Sequence, residues 1–282
     1  MNIGLCFDKL LLNEYYDLDQ SIKGDKKKLE DWVKTNSSGI LSNKWAQYED
    51  ISSAQFLKGT FRSFEIKTIY PGLVCGIGYE HEIGYTNEFK HGFSFDYTTG
   101  LPYIPGSSVK GTLRSAFKIS GYLESIIDNM QDDSFNPETS KNKLKIPKEY
   151  KSHIKWDKLE KSIFEGKEYL TGDPLKSNKI DVFFDSFIYK VERDMEFLHD
   201  DYTTSHRQED GSYSPLKEPN PIRFIKVRPE VTFKFQFRLS ETVISNDLTL
   251  TEEIKLEIFK MILLDFGIGA KTNVGYGQFT NN

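Results

Sequence analysis

The sequence predicts a mixed α+β fold, because strand and helix periodicities both occur along it. Residues 231–239 alternate apolar and polar side chains, which is typical of a half-buried β-strand. Residues 251–266 repeat apolar side chains at helical spacing after Thr251, a residue type that caps helix starts. A second amphipathic helix is predicted after Pro105 and Gly106, which end an extended segment.

Four further segments have patterns that predict local structure. Residues 23–33 are charged and predict a solvated helix, and residues 64–69 alternate as a strand does. Residues 180–189 are rich in β-formers and predict one core strand. Residues 193–221 are polar and turn-rich, and we expect Pro219-Asn220-Pro221 at their end to lie outside regular structure.

The composition limits the classes of function. With 282 residues, 38% of them hydrophobic, the chain is long and apolar enough for a sizeable core. Its two cysteines, Cys6 and Cys75, are too few for a disulfide framework or a zinc cluster. No stretch approaches the roughly 20 apolar residues of a membrane span, and a signal-peptide pattern is missing at the amino terminus. We therefore expect a cytoplasmic protein without membrane contact, metal or other cofactor.

The charge distribution is uneven along the sequence. The net charge is −5, and acidic residues gather at 124–133 and 192–201. Residues 219–240 instead carry five basic residues against Glu230 alone. This asymmetry predicts a basic working face with acidic surfaces elsewhere, which is typical of a nucleic-acid binder that gains affinity inside an assembly.

The stretch 100–118 predicts a helix start suited to an anion. Ser107 or Ser108 is expected to cap the helix by accepting its free amide hydrogens. A basic row then recurs at every fourth residue on one face: Lys110, Arg114 and Lys118. Helix-start amides and this row favour phosphate binding. The alternative is a common amphipathic helix with solvated lysines, and the spacing excludes a Walker A loop.

The stretch 267–279 is dense in glycine and follows the last predicted helix. Glycines allow the backbone to lie against a ligand, and Lys271 and Thr272 offer a charge and a hydroxyl. The alternative is a tight connection from helix to strand within the core.

These two stretches together resemble the RAMP superfamily of CRISPR RNA-guided systems. The resemblance rests on Tyr-Ile-Pro-Gly-Ser-Ser-Val-Lys-Gly-Thr-Leu-Arg at 103–114 and on the glycine-rich loop at 267–279. Finer matches are similar to the sixth-subunit family of the type III-B Cmr effector complex, and they lie at 74–78, 181–186 and 220–227. The resemblance covers roughly residues 64 to 279.

The resemblance implies a ferredoxin-like, RRM-type fold, with an antiparallel sheet, helices on one side, long insertions and a C-terminal glycine-rich loop. It implies one domain over residues 1–282. Within it, residues 1–60 form a divergent segment, and insertions lie at about 122–175 and 193–221. We expect the first insertion to hold short helices or loop.

The resemblance also implies a non-catalytic backbone subunit that binds guide RNA toward its 3′ side and helps to hold the guide–target duplex in antiviral RNA silencing. Its expected partners are guide RNA, target RNA and other Cmr backbone subunits in a hetero-oligomer. Contacts to phosphate and sugar suit a protein that must accept any guide. The candidate RNA-binding residues are Gly106, Ser107, Ser108, Lys110, Arg114, Arg223, Lys226, Arg228, Gly267, Gly269, Lys271, Thr272 and Gly275. Tyr103 and Tyr276 are candidates either for base stacking or for burial in the core.

No catalytic or metal-ligating set is assigned. The five histidines lack a recognised ligand spacing, and His199-Asp200 only superficially matches an HD metal motif. Asp96 lies near the first motif, but no pattern links it to catalysis. Two alternatives stay open: a RAMP-type endoribonuclease that processes guide precursors or cuts target RNA, and an RNA chaperone that acts alone.

Overall fold

The computed structural model describes residues 11–45, 61–76, 94–131, 154–192, 194–205 and 220–281. Its helices are α1 (Leu11–Tyr16), α2 (Gln20–Lys23), α3 (Lys26–Leu41), α4 (Gly106–Ala116), α5 (Tyr122–Gln131), α6 (Trp156–Glu165) and α7 (Glu252–Phe266). Its strands are β1 (Arg62–Thr68), β2 (Tyr103–Ile104), β3 (Val182–Phe183), β4 (Ser186–Lys190), β5 (Leu198–Ser205), β6 (Asn220–Val227), β7 (Thr232–Arg238), β8 (Thr242–Ser245), β9 (Leu248–Leu250) and β10 (Phe279–Thr280). Short 3₁₀ turns span Ser177–Lys179 and Thr272–Val274.

The central sheet is antiparallel and has the strand order β10-β1-β7-β4-β2, with β3 also paired to β7. Strand β7 lies in its middle, and Phe233, Phe235 and Phe237 are all fully buried there. The ring of Phe64 on β1 stacks on that of Phe235 with 5.4 Å between centroids. The predicted alternating strands at 64–69 and 231–239 are thus confirmed.

Helices α4 and α7 pack against this sheet. Thr251 caps α7, because its hydroxyl accepts a hydrogen bond from the Ile254 amide. Phe259 on α7 lies 5.5 Å from Phe237 between ring centroids. The apolar stripe of α4 is also buried, as its spacing predicts: Val109, Leu113 and Ala116. The mixed α+β class with an antiparallel sheet is therefore confirmed.

The sheet is curled, and further backbone hydrogen bonds link its edge strands β2 and β10. The Tyr103 amide donates to the Ser94 carbonyl (3.1 Å), and the Ser94 amide donates to the Cys75 carbonyl (2.7 Å). Next to Cys75, the Val74 carbonyl accepts from the Ala270 amide (2.8 Å), from where the chain continues into β10. The segments 73–75 and 94–95 therefore bridge the two edges.

A buried ion pair joins α7 to the segment before β3. The Lys255 ammonium lies 2.7 Å from the Asp181 carboxylate and 2.6 Å from the Ser240 carbonyl oxygen. The other Asp181 oxygen accepts from the Ser240 amide at 2.7 Å. Both charged side chains are only 2% exposed, so each depends on the other for its electrostatic compensation.

The expectation that the end of 193–221 is irregular is wrong. Strands β5 and β6 form an antiparallel hairpin that is paired from Leu198–Val227 to Ser205–Asn220. Pro221 lies inside β6, opposite Thr204. A two-stranded ribbon leaves one edge of each strand without a partner, so a missing N–H is tolerated there. Residues 206–219 lie outside the described part of the chain.

Two other expectations are corrected in part. The predicted single strand at 180–189 is interrupted between β3 and β4, where Phe184 and Asp185 leave the ladder. The run at 23–33 does form a helix, but it is only partly solvated, because α3 buries Leu29 and Val33 completely. Within the first insertion, α5 and α6 are helices as expected, and their apolar sides join the core.

Candidate nucleic-acid interface

The start of α4 is capped differently from the prediction. Pro105 is the N-cap residue, and neither serine makes a capping hydrogen bond; Ser107 and Ser108 are exposed in the first turn. The Gly106 amide instead donates to an Asp185 carboxylate oxygen at 2.7 Å. The predicted serine cap is therefore wrong, because the break between β3 and β4 supplies a carboxylate to the same helix end.

Gly106 is required at this point by packing. A Cβ built there would lie 2.4 Å from the carbonyl oxygen of Phe183. The backbone of α4 thus sits directly on β3, and Gly106 itself is buried. With Asp185 already bound to the Gly106 amide, a phosphate at this helix start would face a negative charge.

The basic row on α4 is partly neutralised. Arg114 donates to Glu160 at 2.6 Å and to Glu165 at 2.5 Å, so its guanidinium joins α4 to α6. Both carboxylates come from the first insertion, which is why the row lacks acidic partners in the local sequence. The Lys110 ammonium lies 5.8 Å from the centre of the Phe183 ring, and none of the described carboxylates lies within 4.0 Å of it.

We expect Arg114→Ala to affect α6 docking more than RNA binding. Removing the guanidinium leaves Glu160 without its partner and Glu165 with Lys167 alone. The melting temperature should fall by only a few degrees, since the bridge is partly exposed. RNA affinity should change less than in Lys110→Ala. A thermal melt and an RNA titration of both variants test this; an Arg114→Ala protein with unchanged melting and strongly weakened RNA binding would contradict it.

The glycine-rich loop combines close backbone contacts with one open turn. Cβ atoms built at Gly267 and Gly269 would lie 2.4 Å from the carbonyl oxygens of Gly277 and Val74. These contacts favour a tight connection in the fold for that half of the loop. The second half is more open: Gly275 has only Pro71 nearby, and Thr272 begins a 3₁₀ turn. Gly269 is nevertheless exposed, and Lys271, Thr272 and Gly275 are half-buried, so these four are the solvent-facing residues of the predicted loop site.

This open half lies against the base of the β5–β6 hairpin. We call the resulting group the hairpin–loop cluster, and its members are Asp201, Phe224, Lys226, Lys271 and Tyr276. The Tyr276 hydroxyl donates to Asp201 at 2.7 Å. The Lys271 ammonium lies 5.3 Å from the centre of the Phe224 ring. Four predicted residues are thus brought together: Lys226, Lys271, Thr272 and Gly275. Arg223 and its partner Asp200 lie on the opposite face of the hairpin, because side chains alternate along each strand.

The predicted separation of a basic face from acidic surfaces is wrong here. Arg223 contacts Asp200 at 2.9 Å, and Lys226 contacts Asp201 at 2.5 Å. The reason is register, since the acidic end of β5 pairs with the basic part of β6. Arg223 and Lys226 are also only 7% and 8% exposed. The guanidinium of Arg228, just beyond β6, donates to the Glu196 carbonyl oxygen at 3.5 Å.

The ionisation of the cluster follows from these contacts. Partial burial alone would raise the pKa of Asp201, but hydrogen bonds from Lys226 and Tyr276 outweigh it and hold that pKa below its ordinary value. Burial and the bond to Asp201 raise the pKa of Tyr276, whose hydroxyl thus keeps its proton at neutral pH. The cluster then holds two cations, Lys226 and Lys271, and one carboxylate, Asp201, and none of the described carboxylates lies within 4.0 Å of the Lys271 ammonium.

The two predicted motifs lie near each other but do not touch directly. The two bridging segments, 94–95 and 73–75, run between Tyr103 of the first motif and Ala270 of the loop. Three strand spacings of about 4.8 Å place these backbones roughly 14 Å apart. Tyr103 stacks on Phe187 across strands with 5.8 Å between ring centroids, and Tyr276 lies edge-on to Phe224.

The residues considered for catalysis have structural contacts. The Asp96 carboxylate accepts from the amide (2.8 Å) and the hydroxyl (2.6 Å) of Thr99, which fixes the turn before β2. One ring nitrogen of His199 lies 2.6 Å from the Asp200 carbonyl oxygen. Among the described residues, the structure contains no group of three His, Cys, Asp or Glu suited to hold a metal ion. The other four histidines lie outside these residues.

Comparison with known proteins gives one family. The model of the RAMP superfamily matches residues 65–280. The CRISPR system Cmr subunit Cmr6 of Pyrococcus furiosus is 26% identical over 205 residues, which cover 64% of this chain and 58% of that protein. This chain therefore spans less than two thirds of the length of that relative. None of the helices in the described ranges is long and apolar enough to cross a membrane.

Two solved structures match this chain. One is the cryo-EM structure of the Type III-B Cmr-beta bound to cognate target RNA, with a TM-score of 0.50 and 21% identity, covering 95% of this chain and 79% of that one. The other is the crystal structure of Cmr6 from Pyrococcus furiosus, with a TM-score of 0.38 and 21% identity, covering 80% of this chain and all of that one (100%).

Proposed function

The chain belongs to the RAMP superfamily, and we propose that it is a non-catalytic backbone subunit of a type III-B CRISPR effector complex. In this role it binds guide RNA toward its 3′ side and helps to hold the guide–target duplex for antiviral RNA silencing. Its partners are guide RNA, target RNA and the other Cmr backbone subunits. The similarity to Cmr6 supports the assignment to this complex. The observation that carries the RNA-binding role is the hairpin–loop cluster, which gathers predicted residues from two distant segments.

The cluster suits the ribose-phosphate backbone of RNA. Lys271, which is half-buried, supplies an ammonium, and Thr272 next to it supplies a hydroxyl. Such groups contact phosphates and sugars without distinguishing bases, and a guide-binding subunit must accept every guide sequence. We propose that Lys110, on the helix after the first motif, contacts the same strand of RNA farther along, because each successive nucleotide extends the backbone by several ångströms.

The ion pair of the cluster moderates its affinity for RNA. Asp201 competes with phosphate for Lys226, so this cation contributes less than a free one would. The overall charge of −5 acts in the same direction. A low intrinsic affinity suits a subunit whose RNA is also held by its neighbours in an assembly.

We expect Lys271→Ala to weaken retention of guide RNA equally for unrelated guide sequences. One phosphate contact is lost, so the slope of log K against log salt should fall by about one unit. Lys158→Ala, at an exposed position on α6, is the matched control and should have no effect. The measurement is filter binding of labelled guides to the assembled particle at several salt concentrations. Unchanged retention in Lys271→Ala would contradict the proposed site.

The Asp201→Asn variant should change RNA affinity in the opposite direction. The amide can still accept from Tyr276, but it no longer holds Lys226 as a charge partner, so RNA affinity should rise at fixed salt.

The same samples, incubated with guide precursor and target RNA with and without divalent cations, test the non-catalytic role. Cleavage by the purified chain that depends on Asp96 would instead favour the endoribonuclease.

A further inference from the structure

An exposed turn at residues 69–72 lies beside the glycine-rich loop. Tyr70, at its tip, is 83% exposed and is the most exposed aromatic side chain of the described residues. The turn is held by three backbone hydrogen bonds: Ile69 N–H to Gln278 O (3.1 Å), Gly72 N–H to Ile69 O (2.8 Å) and Gly277 N–H to Gly72 O (2.8 Å). The tyrosine is therefore presented to solvent from a firmly held backbone.

The turn and the open half of the loop form one surface. A Cβ built at Gly275 would lie 3.5 Å from Cδ of Pro71, so the two backbones are in near contact. Val274, the neighbour of Gly275, is 68% exposed. An aromatic and an aliphatic side chain thus stand in solvent beside the loop that carries Lys271 and Thr272.

We propose that Tyr70 is a stacking platform for one unpaired base of the RNA strand held by the hairpin–loop cluster, with Val274 completing its apolar surface. This inference rests on the proposed function. A tyrosine ring that is exposed and anchored offers an aromatic face at little entropic cost, and base stacking is sequence-tolerant because every base has a π-face. Phosphate contacts at Lys271 and stacking at Tyr70 together form the two-part site that single-stranded RNA requires.

RNA fits this surface better than a neighbouring protein subunit does. The exposed apolar part consists of only two side chains, Tyr70 and Val274. A stable protein interface needs roughly 800 Å² per partner, which is far more than two side chains provide. The adjoining cation, Lys271, matches a phosphate chain that continues from a stacked base. The surface is therefore assigned to RNA, and docking of a protein is an outcome that the test distinguishes.

The test compares two single-stranded probes on the full-length chain at low salt: an oligouridine and an abasic ribose-phosphate oligomer of the same length. We expect the wild-type chain to bind oligouridine on the order of tenfold more tightly than the abasic oligomer. Tyr70→Ala should remove this difference and leave the abasic affinity unchanged, whereas Tyr70→Trp should keep it. Tyr97→Ala is the control, since Tyr97 is 80% exposed elsewhere and should behave as wild type.

The possible results separate the stacking site from the proposed function. If Tyr70→Ala keeps the difference between the probes, or lowers both affinities equally, the stacking site is overturned while backbone binding stands. If the wild-type chain binds neither probe, the proposed function itself fails. If Tyr70→Ala keeps the base dependence but prevents association with a neighbouring subunit, the turn is a protein interface and the proposal is overturned.

Discussion

Gly277→Ala is expected to destabilise the chain by at least about 3 kcal/mol. A Cβ at this position would lie 1.9 Å from the Ile268 carbonyl oxygen, and the residue has a φ of 71°. Relief requires breaking the hydrogen bonds that Gly277 makes to Gly72 and Ile268, which hold the loop against the sheet. Chemical denaturation followed by circular dichroism measures the loss.

The matched control is Gly111→Ala. Gly111 lies within α4, and nothing stands within 4 Å of a Cβ built there. Alanine at an unobstructed helical site should stabilise the chain by about 0.5–1 kcal/mol. If Gly277→Ala unfolds at the same denaturant concentration as the wild type, the loop is not packed as the structure describes.

Lys255→Met is expected to cost about 3–5 kcal/mol, because it leaves the carboxylate of Asp181 buried without its cation. The Ser240 amide still donates to Asp181 but cannot replace a full charge. The double variant Lys255→Met/Asp181→Leu should recover most of the loss, since it removes both buried charges. Lys260→Met, on the same helix, is the control for the loss of a lysine.

The pH dependence of the single variant has a definite sign. Burial already raises the pKa of Asp181 above its ordinary value in the intact pair, and loss of Lys255 removes the group that opposes this rise. A folded-state pKa above the unfolded one makes a carboxyl group destabilising at neutral pH, and protonation relieves it. The deficit of Lys255→Met should therefore shrink as the pH falls through the raised pKa. A constant deficit from pH 7 to pH 5 would contradict an uncompensated Asp181.

The core elements could be predicted from the sequence because their signals are local. The phenylalanine alternation of β7 and the Thr251 cap of α7 depend on neighbouring residues, and the structure confirms both. The hairpin could not be predicted this way, because the pairing of β6 with β5 is decided by register across a long connection. Proline at position 221 is typical of an irregular segment, and only the two-stranded geometry makes it acceptable.

The sequence predicts which residue types form the candidate site, but it does not predict which of their charges are neutralised by acidic partners. The glycine-rich pattern predicts Lys271 and Thr272 as candidates, and both are half-buried at the start of a 3₁₀ turn. The partners of Arg114 and Arg223 come from α6 and β5, so the local sequence does not indicate them. One signal was present: Asp200-Asp201 and the basic residues of β6 are strong candidates for pairing once the two segments are considered as a hairpin.

The bridged edges of the curled sheet also constrain how the protein folds. Strand β1 takes Phe279 and Thr280 as one neighbour and β7 as the other, so both of its sides are completed by segments far along the sequence. The turn at Tyr70 and the loop at Lys271 come together in the same step of folding. The surface that carries Tyr70 and Lys271 therefore forms only after these distant segments have paired.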